Sequence, residues 1–130
     1  MFRVVEAVST QRLTYLDKAA LCELAQTAMD LEFDGLEGDF LQAGCGLGGA
    51  AIVIAHAKRR NRSFTMHDPF SGGPEAETRT RQALAAHGAD ERLSVRVIPG
   101  PYEETVAPEE ALALAHVDCG EYDPMRVLLE

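Results

Sequence analysis

The stretch that decides the fold is GDFLQAGCGLGGAAI, residues 38–52. The strand candidate FLQAG leads into a turn with four glycines, and the turn leads into the apolar helix candidate AAIVIAHAKRR. This succession is typical of a βαβ unit that binds a nucleoside-bearing cofactor, because the glycines let backbone N–H groups at a helix N-terminus approach the ligand. The turn residues predicted to contact such a cofactor are Gly44, Cys45, Gly46, Gly48 and Gly49. The alternative is that the glycines serve only close packing of the strand against the helix.

Strand and helix candidates alternate around this unit. Apolar spacing predicts a helix over residues 17–31, capped by Asp17. The further candidates are a strand at 62–66, a helix at 75–86, a strand at 93–98, a short helical or irregular piece near 103–110, a strand at 111–117 and a helix from 122 onward. Such alternation predicts a Rossmann-like α/β fold with a parallel sheet in the order 3-2-1-4. Ligands are expected at the switch point between strands 1 and 4, beyond their carboxyl ends.

Length and composition set the outer limits. The chain has 130 residues, 46% of them hydrophobic, and therefore has room for one modest core. We divide the chain into a helical lead-in (residues 1–37) and a cofactor-binding domain (residues 38–130). A formal charge of -9 argues against nucleic acid as a partner. No apolar run is long enough to cross a membrane, and the first residues do not resemble a secretory signal. A soluble cytoplasmic protein is therefore expected.

The three cysteines, Cys22, Cys45 and Cys119, show no spacing typical of a disulfide framework or a zinc site. Reduced thiols are expected. Cys45 lies in the glycine turn, where a helix N-terminus can lower the pKa of a thiol. We nevertheless interpret it as a small residue that fills the turn.

Asp68 ends the second strand candidate, about two dozen residues after Gly44. A carboxylate at this place accepts hydrogen bonds from both hydroxyls of a ribose. Together with the glycine turn, it indicates a nucleoside-bearing cofactor. The two features alone do not separate a dinucleotide from S-adenosylmethionine.

Four segments occur in order between residue 38 and the end of the sequence: GDFLQAGCGLGGAAI, HDPFSGGP, VRVIPGPYEETVAP and HVDCGEYDPMRVLLE. They resemble the four motifs of the macrocin O-methyltransferase family, which consists of class I S-adenosylmethionine-dependent enzymes that modify sugars of antibiotics and related natural products. RLTYL, residues 12–16, is also similar to the family's lead-in. The resemblance implies methyl transfer from S-adenosylmethionine to a hydroxyl of a small natural product or sugar.

By position, the resemblance places the methionine moiety of the cofactor at the glycine turn and its ribose at Asp68. Pro69 and Phe70 belong to the same motif and are expected beside the cofactor. Asp118 is expected next to the transferring methyl group, where the family's aspartate helps to bind a divalent ion such as Mg²⁺ that activates the acceptor hydroxyl. The alternative for Asp118 is a capping role in the turn.

The sequence departs from the family pattern at two positions. Gln42 stands where the family has an acid, and Gly120 stands where it often has a second aspartate. The family's other metal ligands follow a fifth strand, which we do not find in this sequence. Since Mg²⁺ usually needs more than one carboxylate, Asp118 alone is not expected to hold it tightly.

Two histidines at strand ends, His67 and His116, are candidates for a general base, since histidine titrates near neutrality. The alternative for each is a structural, hydrogen-bonded histidine. Tyr102 follows the third strand candidate and is expected to contact adenine or the acceptor, with simple packing as the alternative.

The fourth strand candidate, ALALAHV, is apolar on both faces and is predicted to lie at an exposed edge of the sheet. We therefore expect a homodimer through this edge, or completion of the sheet by another chain. Three functions stay open. They are a methyltransferase with a small-molecule substrate, a non-catalytic binding or partner subunit with the same fold, and an enzyme that uses the pocket for other chemistry.

Overall fold

A computed structural model describes residues 1–107 and 111–118. In chain order the elements are α1 (Phe2–Thr10), α2 (Lys18–Phe33), β1 (Asp39–Ala43), α3 (Gly49–Ala57), β2 (Phe64–Asp68), α4 (Pro74–Ala86), a 3-10 turn (Glu91–Leu93), β3 (Val95–Pro99), α5 (Tyr102–Thr105) and β4 (Leu112–Val117).

The four strands form one parallel sheet in the order β3-β2-β1-β4. The predicted α/β fold and the strand order 3-2-1-4 are thus confirmed. In the β1–β4 pair, Phe40 lies opposite Leu114, and Gln42 lies opposite His116. The carboxyl ends of β1 and β4 meet where the strand order reverses, which is the place where ligands bind in open sheets of this kind.

The main core lies between one face of the sheet and the helices α1 to α4. Phe40 of β1 and Phe64 of β2 have no exposed surface, and their rings meet edge to face with centroids 6.5 Å apart. The first seven residues of α3 are all buried, as its apolar composition predicts. Val5 and Val8 of α1 belong to the same core. The lead-in and the sheet therefore share one hydrophobic interior.

The other face of the sheet carries a smaller apolar cluster. It consists of Leu41, Ala43 and Tyr102, with Val106 packed against it. Since alternate residues of a strand point to opposite faces, Gln42 points to the same side as the main core and not to this cluster.

Several element boundaries differ from the sequence prediction, among them those of β2 and β3. β2 continues through His67 and Asp68, because it stays in register with β3 as far as the pairing of Asp68 with Pro99. Residues 91–93 form a 3-10 turn instead of the start of a strand, so that β3 begins at Val95. By contrast, α2 begins where expected, and the Asp17 side chain accepts a hydrogen bond from the backbone N–H of Ala20 at 2.8 Å.

A buried arginine joins the amino end of the sheet to α2. The Arg62 side chain is 2% exposed and donates from Nε and Nη2 to the two oxygens of Glu32, at 2.9 and 2.7 Å. It also donates to the carbonyl of Leu36 at 2.7 Å and to that of Gly38. Its guanidinium carbon lies 4.9 Å from the centroid of the Phe40 ring. One side chain thus connects the end of α2 with the starts of β1 and β2.

The helix predicted from residue 122 onward lies outside the described residues, as do Cys119 and Gly120. Within the described ranges, no helix has the length and apolar character needed to cross a membrane.

Candidate functional site

A cavity of about 120 Å³ lies at the carboxyl ends of β1 and β4. Its walls are residues 44–47 of the glycine turn and residues 12–15 of the segment between α1 and α2. Gln42, His116 and Asp118 line it from the two strands. The cavity therefore occupies the switch point at which the strand pattern predicts a ligand.

Asp68 fixes the conformation of the glycine turn. Its Oδ2 accepts a hydrogen bond from the backbone N–H of Cys45 at 2.7 Å, and its Oδ1 accepts one from the N–H of Phe70 at 2.7 Å. Hydrogen bonds to an ionised carboxylate are roughly twice as strong as neutral ones. The carboxylate thus ties the end of β2 to the turn after β1, beside the cavity.

The backbone N–H groups of the turn fall into two sets. Those of Gly44, Cys45 and Gly48 bond within the turn and to β2, and the N–H of Gly49 donates to the carbonyl of Leu13 at 2.9 Å. The N–H groups of Gly46 and Leu47 donate no hydrogen bond to any part of the chain that the structure describes. Both residues line the cavity, so their N–H groups are available to an anionic or carbonyl group of a ligand.

Gly49 must be glycine because of the segment that crosses it. A Cβ at this position would lie 2.6 Å from the Leu13 carbonyl oxygen and 2.8 Å from Cγ1 of Val8. Gly46 differs, since a Cβ there would meet nothing within 4 Å, and its φ of +53° is the feature that favours glycine. Gly49 thus lets the α1–α2 segment pack against the turn, and Gly46 gives the open side of the turn its conformation.

The floor of the cavity is formed by Gln42 and His116, which are neighbours across the β1–β4 pair. Gln42 is 1% exposed, and its Nε2 donates to the Gly44 carbonyl at 3.1 Å. Burial lowers the pKa of His116, and the charge of Asp118 acts in the opposite direction. Asp118 itself is exposed at the cavity mouth, where its backbone N–H donates to the Ala43 carbonyl at 2.8 Å.

The predicted site residues separate into two groups. The cavity lining includes Gly44, Cys45, Gly46, His116 and Asp118. The others lie near the turn or behind the sheet, outside the lining: Gly48, Gly49, His67, Asp68, Pro69, Phe70 and Tyr102. Of these, Phe70 packs partly buried against the main core, and Pro69 is exposed.

His67 and Tyr102 lie on the face of the sheet opposite to the cavity. His67 is 1% exposed, and its two ring nitrogens bond to the hydroxyls of Thr105 at 3.0 Å and Thr65 at 3.1 Å. Burial lowers the pKa of His67, and the positive charge of Arg96 lowers it further. Tyr102 is 6% exposed in the small cluster on that face. The arrangement of His67 is that of a structural histidine.

No protein-family model and no curated protein matches the sequence. Solved structures match it in fold. The O-methyltransferase NovP superposes with a TM-score of 0.74 at 21% identity, over 90% of this chain and 60% of that one. CalS11, a TDP-rhamnose 3'-O-methyltransferase of calicheamicin biosynthesis, gives 0.67 at 22% identity, over 90% and 58% of the two chains. The S-adenosylhomocysteine-bound methyltransferase PaMTH1 of Podospora anserina gives 0.67 at 20% identity, over 98% and 54%.

This chain shares the fold of the matching part of these methyltransferases. At these identities the likeness concerns the fold alone. The chain spans between 54% and 60% of the length of these three proteins. The confirmed features are thus the parallel sheet, its strand order and the glycine turn between β1 and α3.

The metal expected from the resemblance can be tested against the side chains around Asp118. Among the described residues, no three His, Cys, Asp or Glu side chains come together in a way that would hold a metal ion. One exposed carboxylate does not fit the near-octahedral oxygen coordination of Mg²⁺. We therefore derive no step of the chemistry through a metal.

Part of the cavity was not predicted from the sequence. The cavity wall formed by Arg12 and Tyr15 comes from RLTYL, which the motifs mark only as a lead-in. The buried position of Gln42 was also missed, although its alternation with Phe40 along β1 contained the signal.

The two described cysteines are predicted to differ strongly in reactivity. Burial raises the pKa of Cys45, and the negative charge of Asp68 raises it further, whereas Cys22 is exposed. Both effects oppose the lowering that a helix N-terminus can produce, which agrees with the interpretation of Cys45 as a small residue that fills the turn. In the folded protein at neutral pH, we expect N-ethylmaleimide to modify Cys22 at least about 100-fold faster than Cys45.

Peptide mass spectrometry measures the two rates separately, and the same reaction in denaturant serves as the control with similar rates. Equal rates in the folded protein would contradict a buried Cys45.

Proposed function

We propose that this chain binds S-adenosylmethionine in the cavity between the glycine turn and β4, and acts as a cytoplasmic O-methyltransferase on a hydroxyl of a small natural product or sugar. The observation that carries the proposal is the cavity itself. It joins the two available N–H groups of Gly46 and Leu47 with the carboxylate of Asp118 at the switch point of the sheet. The segments that resemble the macrocin O-methyltransferase family support the choice of acceptor.

The residues of the cavity suit the charged end of this cofactor. Gly46 and Leu47, with their available N–H groups, and the positively charged Arg12 all line the cavity, and together they suit a carboxylate. The Asp68 carboxylate accepts hydrogen bonds from Cys45 and Phe70, one on each oxygen. Each oxygen has a further lone pair, and we propose that these accept the ribose hydroxyls. Pro69 and Phe70 would then lie beside the adenosine.

Asp118 is proposed to orient the acceptor. Bound S-adenosylmethionine supplies an electrophilic methyl group. Asp118 is exposed at the mouth of the cavity, where its carboxylate can accept a hydrogen bond from an acceptor hydroxyl and hold the oxygen in line with the methyl group. Such positioning is the main contribution expected of a protein in a direct transfer reaction.

Calorimetric titration with S-adenosylmethionine, S-adenosylhomocysteine and NAD tests the proposal. We expect micromolar binding of the first two and none of NAD. Leu47→Asp should weaken binding of S-adenosylhomocysteine at least about tenfold, because a second carboxylate beside the two N–H groups repels that of the ligand. Leu36→Asp is the matched control, since Leu36 is similarly exposed, at 47% against 43% for Leu47, but lies at the other end of the sheet.

Binding of NAD in preference to S-adenosylhomocysteine would replace the methyltransferase proposal with a dinucleotide enzyme. If Leu47→Asp and Leu36→Asp weakened binding of S-adenosylhomocysteine equally, the ligand would not bind beside Leu47.

We also propose that β4 pairs with a second chain, as a homodimer or with another protein. In the described ranges β4 pairs only with β1, and Leu112 and Ala115 are exposed along it. Light scattering at micromolar concentration should give a dimer mass for the wild type and a monomer mass for Ala115→Lys, since a lysine at a strand edge opposes pairing. A compact wild-type monomer would contradict the homodimer.

A further inference from the structure

Two buried polar atoms in the cavity floor lack a hydrogen-bond partner among the residues that the structure describes. They are Oε1 of Gln42 and Nδ1 of His116. Folded proteins contain few such atoms, because a buried polar atom loses its hydrogen bonds to water and, without a new partner, lowers the stability of the fold. The two residues that carry these atoms line one cavity, so a bound group that donates hydrogen bonds could satisfy both.

The two atoms belong to neighbouring residues. Gln42 and His116 are register partners on β1 and β4, and both line the cavity. The orientation of the Gln42 amide is set by the Gly44 carbonyl, which can only accept and therefore faces Nε2 at 3.1 Å. The atom left over is thus the acceptor oxygen.

The hydrogen-bond role of His116 follows from the surroundings of its two nitrogens. Nδ1 is enclosed, whereas Nε2 is not among the buried atoms that lack a partner. In a neutral ring, the proton is better solvated on the nitrogen that water reaches, so Nδ1 keeps its lone pair. Gln42 and His116, which are register partners on β1 and β4, then each carry one acceptor atom. A single hydroxyl can donate to only one of them and a carboxylate to neither, whereas an ammonium group or a water molecule can donate to both.

We infer that Gln42 and His116 together bind the ammonium group of an amino-acid ligand, through Oε1 and Nδ1. This inference rests on the proposed function, in which that ammonium is the one at the amino-acid end of the cofactor. Gln42 replaces the acid expected at this position from the resemblance, so in this chain the ammonium donates its hydrogen bonds to two uncharged acceptors. The exposed carboxylate of Asp118 supplies the only negative side-chain charge among the described residues that line the cavity.

A calorimetric comparison of two ligands tests the inference. The ligands are S-adenosylhomocysteine and its deamino analogue, which lacks only the amino group. Gln42→Leu and His116→Leu should each weaken binding of S-adenosylhomocysteine about tenfold or more, since hydrogen bonds to charged groups are the stronger class. Binding of the deamino analogue should change by less than about twofold. Gln26→Leu, on the exposed surface of α2, is the matched control and should leave both affinities unchanged.

A further variant guards against a simple packing defect. His116→Asn keeps a hydrogen-bonding atom close to the position of Nδ1 and should retain most of the affinity that His116→Leu loses. Gln42→Leu should leave the thermal midpoint of the unliganded protein within about 3 °C of the wild type, because it removes an unsatisfied acceptor along with one hydrogen bond.

Equal losses of affinity for the two ligands would overturn the inference, since they would show that Gln42 and His116 only maintain the shape of the pocket. Unchanged affinity for S-adenosylhomocysteine in both leucine variants would overturn it as well. A folded wild type that binds neither ligand would instead refute the proposed function, and the inference with it.

Discussion

Arg62→Met is expected to lower the free energy of unfolding by about 3 kcal/mol, because it removes the buried partner of Glu32. The value lies at the lower end for a broken buried pair, since Glu32 keeps the backbone N–H of Arg59 at 2.7 Å and the Arg59 side chain at 4.0 Å. Glu32 would keep a partly buried carboxylate, and the carbonyls of Leu36 and Gly38 would lose their donor. The corresponding fall in the thermal midpoint is on the order of 10 °C for a chain of this size. Denaturant unfolding followed by circular dichroism measures the change.

Arg79→Met is the matched control, since Arg79 is exposed on α4 and should change the stability by less than about 0.5 kcal/mol. A loss below about 1 kcal/mol for Arg62→Met would show that the ion pair is dispensable for the fold.

The same ion pair gives the stability a defined dependence on pH. The hydrogen bond from Arg62 lowers the pKa of Glu32 below its ordinary value of 4.5. A carboxyl group with a lowered pKa in the folded state stabilises the fold fully above its unfolded-state pKa. This contribution is lost as the pH falls below 4.5 and through the folded-state pKa. Arg62→Met should therefore remove part of the acid sensitivity of the wild type.

Asp68→Ala is expected to weaken binding of the proposed cofactor about 100-fold or more. The carboxylate holds the N–H groups of Cys45 and Phe70, each at 2.7 Å, and without it the glycine turn loses its link to the end of β2. The proposed ribose contact is lost at the same time. Calorimetry with S-adenosylhomocysteine measures the affinity, and circular dichroism establishes that the variant is folded.

Asp68→Asn keeps the shape of the side chain but offers one acceptor oxygen for two N–H groups, so an intermediate affinity is expected. Asp30→Ala, at an exposed position on α2, is the control for loss of a carboxylate elsewhere. Wild-type affinity in Asp68→Ala would mean that neither the conformation of the glycine turn nor the binding of the ribose requires Asp68.

The fold was largely predictable because its pattern is local. Alternating strand and helix candidates with short connections leave few topologies, and the right-handed crossover rule selects among them. The cap at Asp17 could be predicted for the same reason, since it depends on residues three apart. Helix α1 was not predicted, because FRVVEAVST has no cap signal and contains β-branched residues that disfavour an isolated helix. The burial of Val5 and Val8 in the main core stabilises it instead.

The site was only partly predictable, because its polar contacts join distant parts of the chain. The glycine turn and Asp118 follow from motifs, but the bond of Gly49 to Leu13 depends on how the lead-in packs. The unpartnered atoms of Gln42 and His116 become visible only once the register of β1 and β4 is known. The sequence likewise offers no sign that Arg62 meets Glu32, thirty residues earlier, since its basic neighbours suggest an ordinary helix end.

The central claim is that the cavity between the glycine turn and β4 holds the amino-acid end of S-adenosylmethionine. The most direct test is a ¹H–¹⁵N correlation spectrum of the protein during titration with S-adenosylhomocysteine. We predict saturable shifts of the backbone N–H signals of Gly46 and Leu47 and of the side-chain NH₂ of Gln42, with the signals around Arg62 unchanged. Shifts that leave residues 44–47 untouched, or no shifts at all in a folded protein, would contradict the claim.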